Sequence, residues 1–268
     1  MKTSKRELLQ KESIESLANE LLNAEMSRKP VVPITERYPE VTIEDAYHIQ
    51  LKVVEAKRKL GQTVVGKKIG LTSKQMQQLL GVYEPDYGHI MDSLMVFEGD
   101  SIDLNLLIQP KLEAEIAFFL QEDLTGPGVT VAKVLKATRG ITAAIEVIDS
   151  RIEKWRIKIQ DTVADNASIG RVVLGGRMSS VEDVDLRLLG MVLRKNGEIV
   201  SCSSSAAVLG NPAQAVAWLA NKLSTYGINL KAGELIMSGS LVAAVEVGKG
   251  DEATVEFDRL GSVSVRFK

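Results

Sequence analysis

"PKLEAEIAFFL" (Pro110–Leu120) and "ITAAIEVIDSR" (Ile141–Arg151) both read as strands, and each carries acid where a core is being built. Alternate residues of a strand share a face. Glu113 and Glu115 therefore lie with Ala117 and Phe119, while Ile116, Phe118 and Leu120 take the other side. Both faces turn apolar further along, as in a strand covered on two sides. The pair alone reads equally well as a solvated strand end. Glu146 is different, because Ala144, Ile145, Val147 and Ile148 surround it in sequence. A buried, unpaired carboxylate forfeits several kcal/mol of hydration, so it needs a cation. Spacing leaves two answers open. One is a salt bridge, with Arg151 and Lys68 as candidates. The other is a hard metal ion, Mg²⁺ or Mn²⁺, which suits three carboxylates with no thiolate or imidazole cluster.

The chain of 268 residues allows one large domain, or one with a smaller domain beside it. A formal net charge of −2 argues against nucleic acid or an acidic membrane surface as the main partner. Cys202 is the only cysteine, which excludes an intrachain disulfide and a multi-thiolate metal site. The two histidines, His48 and His89, exclude an HExxH site and a His-rich cage. "MKTSKRELLQKES" has no apolar signal core, and no run approaches the roughly 18 apolar residues of a membrane span. The expectation is a soluble, cytoplasmic protein.

Residues 6–28 carry a helical stripe of Leu9, Leu17, Leu21 and Leu22. "TIEDAYHIQ" opens a second helix with Thr42 as cap, Ala46, Ile49 and Val53 on one face, and Gly61 as stop. "TSKQMQQLLG" reads as a third, with a Thr72–Gln75 capping box. From about residue 90 strand-like runs dominate, Asn196-Gly197 marks a hairpin, and two helices interrupt, one capped by Asn211 with Pro212 at its first position. Strands out of step with helices predict an α+β fold: a mainly helical region over residues 1–90 and a β-rich catalytic domain over residues 91–268.

Several motifs are weak alone. "GQTVVGKK" (Gly61–Lys68) imitates a P-loop, but it follows a helix and ends in Lys68 instead of Ser or Thr, so a short strand is expected. "DTVADNAS" (Asp161–Ser168) and "MSGSLV" (Met237–Val242) read as turns that offer hydroxyls, and Asp86 in "EPDYGHI" reads as a turn residue or a site acid. His89 reads as a packed or surface histidine.

In order along the chain, "VGKKIGLTSKQMQQLLGV", "EPDYG", "QPKLEAEIAF", "EVIDSR", "DTVADNAS", "AAVLGNPAQAVAWLANKL", "KAGELIMSGS" and "GSVSVRF" resemble the 2-keto-4-pentenoate hydratase / 4-oxalocrotonate decarboxylase family of the fumarylacetoacetate hydrolase superfamily. The resemblance covers nearly the whole chain and is weakest over the first forty residues. It implies a C-terminal mixed β-roll or sandwich core beside a smaller helical N-terminal region. It also implies an Mg²⁺ or Mn²⁺ site at Glu113, Glu115 and Glu146, a homo-oligomer, and a place late in meta-cleavage of aromatic compounds.

Within the resemblance, "PDYG" with Asp86 is hydratase-like, where decarboxylases carry an apolar residue. "SGSLV" is also hydratase-like, whereas "ITERYPEVTIEDAY" and "GGRMSSVEDVDLRLLG" look more like decarboxylases or hydratases of dicarboxylates. The expected substrate is 2-hydroxypenta-2,4-dienoate, a small 2-oxo/2-hydroxy dienoate, and the alternatives are 2-oxohex-3-enedioate decarboxylation or a dicarboxylate homologue. Lys68 and Asp86 are expected to move protons, with burial lowering the Lys68 pKa. Ser168 and Ser240 are expected to hold the substrate carboxylate or carbonyl. Two rival classes stay open: a structural partner in a hydratase–decarboxylase complex, disfavoured by the intact glutamates, and a C–C bond hydrolase, which would need an imidazole from His48 or His89.

Overall fold

The computed structural model describes residues 11–74, 77–78 and 81–268. Helix α1 spans Lys11–Ser27 and buries Leu17 and Leu21 as its stripe requires; the expected start at residue 6 lies outside the described residues. A short α2 (Ile34–Arg37) leads to α3 (Ile43–Lys59). Thr42 caps α3: its hydroxyl accepts from Asp45 N, and the Asp45 carboxylate returns to Thr42 N. Lys74, Gln77 and Gln78 are helical, but the Gln75 half of the expected capping box lies outside the described residues. The P-loop imitation is a strand, β1 (Val64–Gly70), paired antiparallel with β2 (Asp86–Met91).

Beyond β2 come β3 (Met95–Val96), β4 (Ser101–Ile102), β5 (Lys111–Leu120), α4 (Val131–Ala137), β6 (Thr138–Ile148), α5 (Ile159–Ala164) and β7 (Ile169–Leu174). The chain continues through β8 (Gly190–Lys195), β9 (Glu198–Ser204), α6 (Pro212–Ser224), β10 (Leu235–Met237), β11 (Val245–Glu246), β12 (Glu252–Phe257) and β13 (Gly261–Phe267). Asn196 and Gly197 join β8 to β9 at φ +53° and +83°, the left-handed pair of a tight hairpin. Asn211 caps α6 through Ala213 N, and Pro212 fills the first helical position.

Two sheets result. An eight-stranded mixed sheet runs β2-β1-β10-β5-β6-β7-β3, with β11 added to β5, and a five-stranded sheet runs β4-β13-β12-β8-β9. The larger sheet crosses residue 90, because β1 and β2 are hydrogen-bonded into it. Its two faces have different fates. Ile116 and Phe118 of β5, and Ile141, Ala143, Ile145 and Val147 of β6, join the main core with Val255 and Val263 of the smaller sheet and Val216 and Leu219 of α6. Ala117, Ala144, Ile90, Val172 and Met237 form a smaller apolar cluster on the opposite face. That opposite face carries the site. No described helix is long and apolar enough to cross a membrane.

Gln50 of α3, fully buried, ties the helical layer to this sheet. Its Nε2 donates to Tyr87 O at 2.9 Å and Val163 O at 2.8 Å, and its Oε1 lies 3.1 Å from His89 Nδ1. Burial, aided by the Lys67 charge, holds His89 down to about 3, so the ring is neutral and Nδ1–H is the donor to Gln50. Replacing Gln50 by Leu removes the amide donor to two carbonyls and leaves an imidazole N–H without this acceptor in the core. The expected loss is about 2–3 kcal/mol of unfolding free energy, read from urea denaturation; an unchanged midpoint would show that Gln50 does not tie the layers.

Candidate metal centre and cavity

The register of β5 against β6 sets Glu113 opposite Glu146 and Glu115 opposite Ala144. Glu113, Glu115 and Glu146 thereby offer carboxylate oxygens that all lie within 4.8 Å of one another. Glu115 and Glu146 are 0% exposed and Glu113 is half-buried. The solvated strand end is therefore wrong for the pair: β6 lies along one side, and Gly239 N donates to Glu115 Oε2 at 2.8 Å from the other.

Among the described residues, one cation answers these acids. Lys68 Nζ lies 3.2 Å from Glu146 Oε1 and donates to Ala167 O at 3.1 Å. Arg151, the other candidate, belongs elsewhere: its Nε meets Asp165 Oδ1 at 2.5 Å and its guanidinium donates to the carbonyls of Asp149, Ile169 and Asp165. One lysine facing three carboxylates leaves the cluster short of positive charge. Glu115 Oε1 and both Glu146 oxygens accept no hydrogen bond, the contact to Lys68 being an ion pair without hydrogen-bond geometry. Buried, all-oxygen, under-compensated and within one coordination sphere, these residues fit a hard divalent ion.

The electrostatics agree. Burial, reinforced by Glu146 and Asp86 against Lys68, pushes Glu113 up to about 7. Burial, then the Glu146 charge, raises Glu115 well above the carboxylate range. For Lys68 the outcome reverses the expectation. Burial alone would lower it, but Glu146, Glu113, Asp86 and Glu115 outweigh that effect and hold the ammonium above its usual value. Lys68 is a charged donor.

Asp86, 2% exposed at the head of β2, stands opposite Gly70 of β1. A Cβ on Gly70 would lie 2.1 Å from Asp86 Oδ1, so glycine provides the space the carboxyl occupies. Asp86 Oδ1 has no hydrogen-bond partner, and burial raises its pKa.

Lys68, Asp86 and Glu113 line a cavity of about 260 Å³ with Ser168 and Ser240 on its walls. Both expected serines are thus at the site, with hydroxyls already engaged: Ser168 Oγ donates to Asp165 Oδ2 at 3.1 Å and Ser240 Oγ to Val242 O at 2.7 Å. Sequence reasoning missed Thr72, Trp155 and Lys111 as lining residues. Lys111 precedes Glu113 by two on the same strand, a signal that was present; its Nζ lies 5.3 Å from the Trp155 ring centroid. His48 and His89 do not line the cavity, which removes the imidazole a C–C hydrolase would use.

Fold and site together define a metal-assisted enzyme built on a mixed β core. The chain belongs to the fumarylacetoacetate hydrolase family: residues 85–268 match the profile described as Fumarylacetoacetate (FAA) hydrolase C-terminal. It is 45% identical over 259 residues to a 2-hydroxyhexa-2,4-dienoate hydratase of Comamonas testosteroni, covering 96% of this chain and 98% of that protein. It is 48% identical over 221 residues to a 2-hydroxypent-2,4-dienoate hydratase of Pseudomonas putida, covering 82% of this chain and all of that protein. Among solved structures, the 4-oxalocrotonate decarboxylase from Pseudomonas putida G7, complexed with magnesium and adipate, superposes with a TM-score of 0.96 at 42% identity, covering 98% of this chain and 100% of that one. The expected α+β fold of this type, with its helical N-terminal region, is what the structure shows.

Glu113 also yields a signed expectation. A folded carboxyl at about 7, against 4.5 for the free group, binds an extra proton between those values. Its contribution to stability is full below the unfolded pKa and is lost as pH rises through the folded one. In chelator-treated protein, Glu113→Gln should therefore gain thermal stability relative to the parent as pH rises through about 7. A difference in melting temperature that stays constant from about pH 5 to about pH 8 would refute the raised pKa.

Proposed function

We propose that this chain is a divalent-metal-dependent hydratase that adds water to 2-hydroxypenta-2,4-dienoate, giving 4-hydroxy-2-oxopentanoate. The observation that carries the reading is the Glu113–Glu115–Glu146 trio, short of compensating charge, whose half-buried member Glu113 lines a small cavity with Lys68 and Asp86. Relatives named as dienoate hydratases at 45% and 48% identity support it. Mg²⁺ or Mn²⁺ held by the three glutamates would supply a Lewis acid for the substrate's carboxylate and 2-oxygen.

The chain's own groups divide the remaining work. Ketonisation moves the enol proton to C5, leaving a 3-enoate that is electrophilic at C4; water then adds, with hydroxyl to C4 and a proton to C3. Lys68, charged and fixed between Glu146 and Ala167 O, donates at the developing carbanion and steadies negative charge on the substrate. Asp86, with an oxygen free of other partners, orients the water and takes its proton. Ser168 and Ser240 hold the substrate's polar end after exchanging their present partners. The apolar stretch of wall at Ile148, Trp155 and Ile157 suits a short unsaturated chain and limits bulk water.

A cytoplasmic homo-oligomer belongs to the same reading, with a partner decarboxylase as a further associate. The β9 edge, with Ile199 and Val200 exposed, supports an assembly that covers it.

Decarboxylation of 2-oxohex-3-enedioate is the second reading, favoured by the near-complete superposition on the decarboxylase. The same metal and Lys68 would serve it, with CO₂ lost from C5 in place of protonation there. The deciding assay follows the absorbance of freshly made 2-hydroxypenta-2,4-dienoate with Mg²⁺ and purified enzyme, using Glu113→Gln as control. Rapid loss that needs the metal, and falls by about 10²-fold or more in the control, is expected. A folded, metal-loaded enzyme that leaves the dienoate untouched but releases CO₂ from the enedioate would establish the decarboxylase instead.

A further inference from the structure

Asn166, Ala167 and Ser168 form a run of three residues with φ of +53°, +50° and +53°, none of them glycine. Side chains disfavour that region, so the run persists because its surroundings impose it. Asn166 does most of the imposing. Its Oδ1 accepts from His89 N at 2.7 Å and its Nδ2 donates to His89 O at 2.9 Å. Strand β2 is the edge of the eight-stranded sheet, and this amide occupies the position a further strand would take. The approach is close: a Cβ on Gly88 would lie 2.4 Å from Asn166 O. On the far side, Ser168 N donates to Asp165 O at 3.0 Å and Asp149 N to Ser168 O at 2.7 Å.

The clamped run presents two groups to the cavity: Ala167 O, which accepts from Lys68 Nζ at 3.1 Å, and the Ser168 side chain on the wall. The three glutamates stand on β5 and β6, and Glu146 shares Lys68 with the clamp, its Oε1 lying 3.2 Å from Nζ. We propose that Asn166 is a positioning residue: its grip on the His89 backbone sets where Ala167 O stands and so aims the Lys68 ammonium, which Glu146 holds from its own strand. The inference rests on the catalytic reading of Lys68 given above, but its structural half does not depend on which substrate is used.

Asn166→Gly separates the grip from the strain, because glycine keeps the left-handed conformation at little expense while losing both amide hydrogen bonds. The variant should stay folded and bind Mn²⁺ within about twofold of the parent by titration calorimetry. Its kcat on the substrate the parent turns over should fall by about 10–100-fold, with a smaller change in KM. Its crystal structure should show Lys68 Nζ beyond hydrogen-bond reach of Ala167 O. In a Lys68→Ala background the same change should have little further effect on the residual rate, the non-additivity expected when one residue acts through another. An Asn166→Gly enzyme with parental kcat, or one whose Lys68–Ala167 contact is intact, overturns the proposal. So does a loss of Mn²⁺ affinity in step with kcat, which would mark a merely structural role. Absence of turnover by the parent on both the dienoate and the enedioate would sink the catalytic reading while leaving the crystallographic and calorimetric arms decisive for the clamp.

Discussion

The structure turns on an imbalance of charge. Among the described residues, three glutamate carboxylates and Asp86 meet around a single ammonium, that of Lys68, with all but Glu113 buried. Removing any one charge from water is expensive, and attraction to a single lysine offsets only part of it. A fold that optimised stability alone would replace such a cluster with aliphatic packing. Retaining it makes physical sense when a further cation completes the compensation, so that affinity for the ion is stored in the fold as unrelieved repulsion and desolvation.

The scaffold contains this strain by separating the faces of one sheet. On β5 and β6 the residues that alternate with the glutamates are wholly apolar and lock into the main core against the small sheet. The acids cannot turn outward without dragging Ile116, Ile145 and Val147 into water. Register thus does for the carboxylates what a chelating ring does for a small ligand: it fixes the donor separations before any ion arrives. Neighbouring β1 and β2 bring Lys68 and Asp86 to the same face, with Gly70 leaving the space that the Asp86 carboxyl occupies.

What was legible in the sequence followed from local rules. Alternation in "PKLEAEIAFFL" placed Glu113 and Glu115 on one face, the apolar context of Glu146 demanded a cation, and Thr42, Asn211 and Asn196-Gly197 announced their caps and hairpin. What the sequence left open or gave with the wrong sign lies where distant segments meet. Glu146 had two possible cations, and choosing Lys68 over Arg151 needed the three-dimensional path of β1 and the prior commitment of Arg151 to Asp165. The sign of the Lys68 shift failed for the same reason: burial is legible from an apolar run, but the surrounding acids come from other strands. "DTVADNAS" reads as a turn, but Asp161–Ala164 complete α5, and the order of the run that follows at 166–168 comes from His89 and Gly88, far back in the chain.

The arrangement also explains how one architecture accommodates related reactions. The glutamates stand mid-sheet, where neighbouring strands hold them, and on the proposed reading an ion they hold would fix one end of an oxygen-rich substrate whatever its tail. Groups that would act on the distal carbons sit on β1, on β2 and on the turn at 166–168, each able to change without altering the register that builds the metal site. The wall at Trp155 and Val242 comes from irregular segments, where sequence can vary at low structural cost. On that reading, binding of the shared head group falls to regular strands and selection among tails to irregular segments. A change from protonating a carbon to releasing CO₂ from it would then require new chemistry only at the latter.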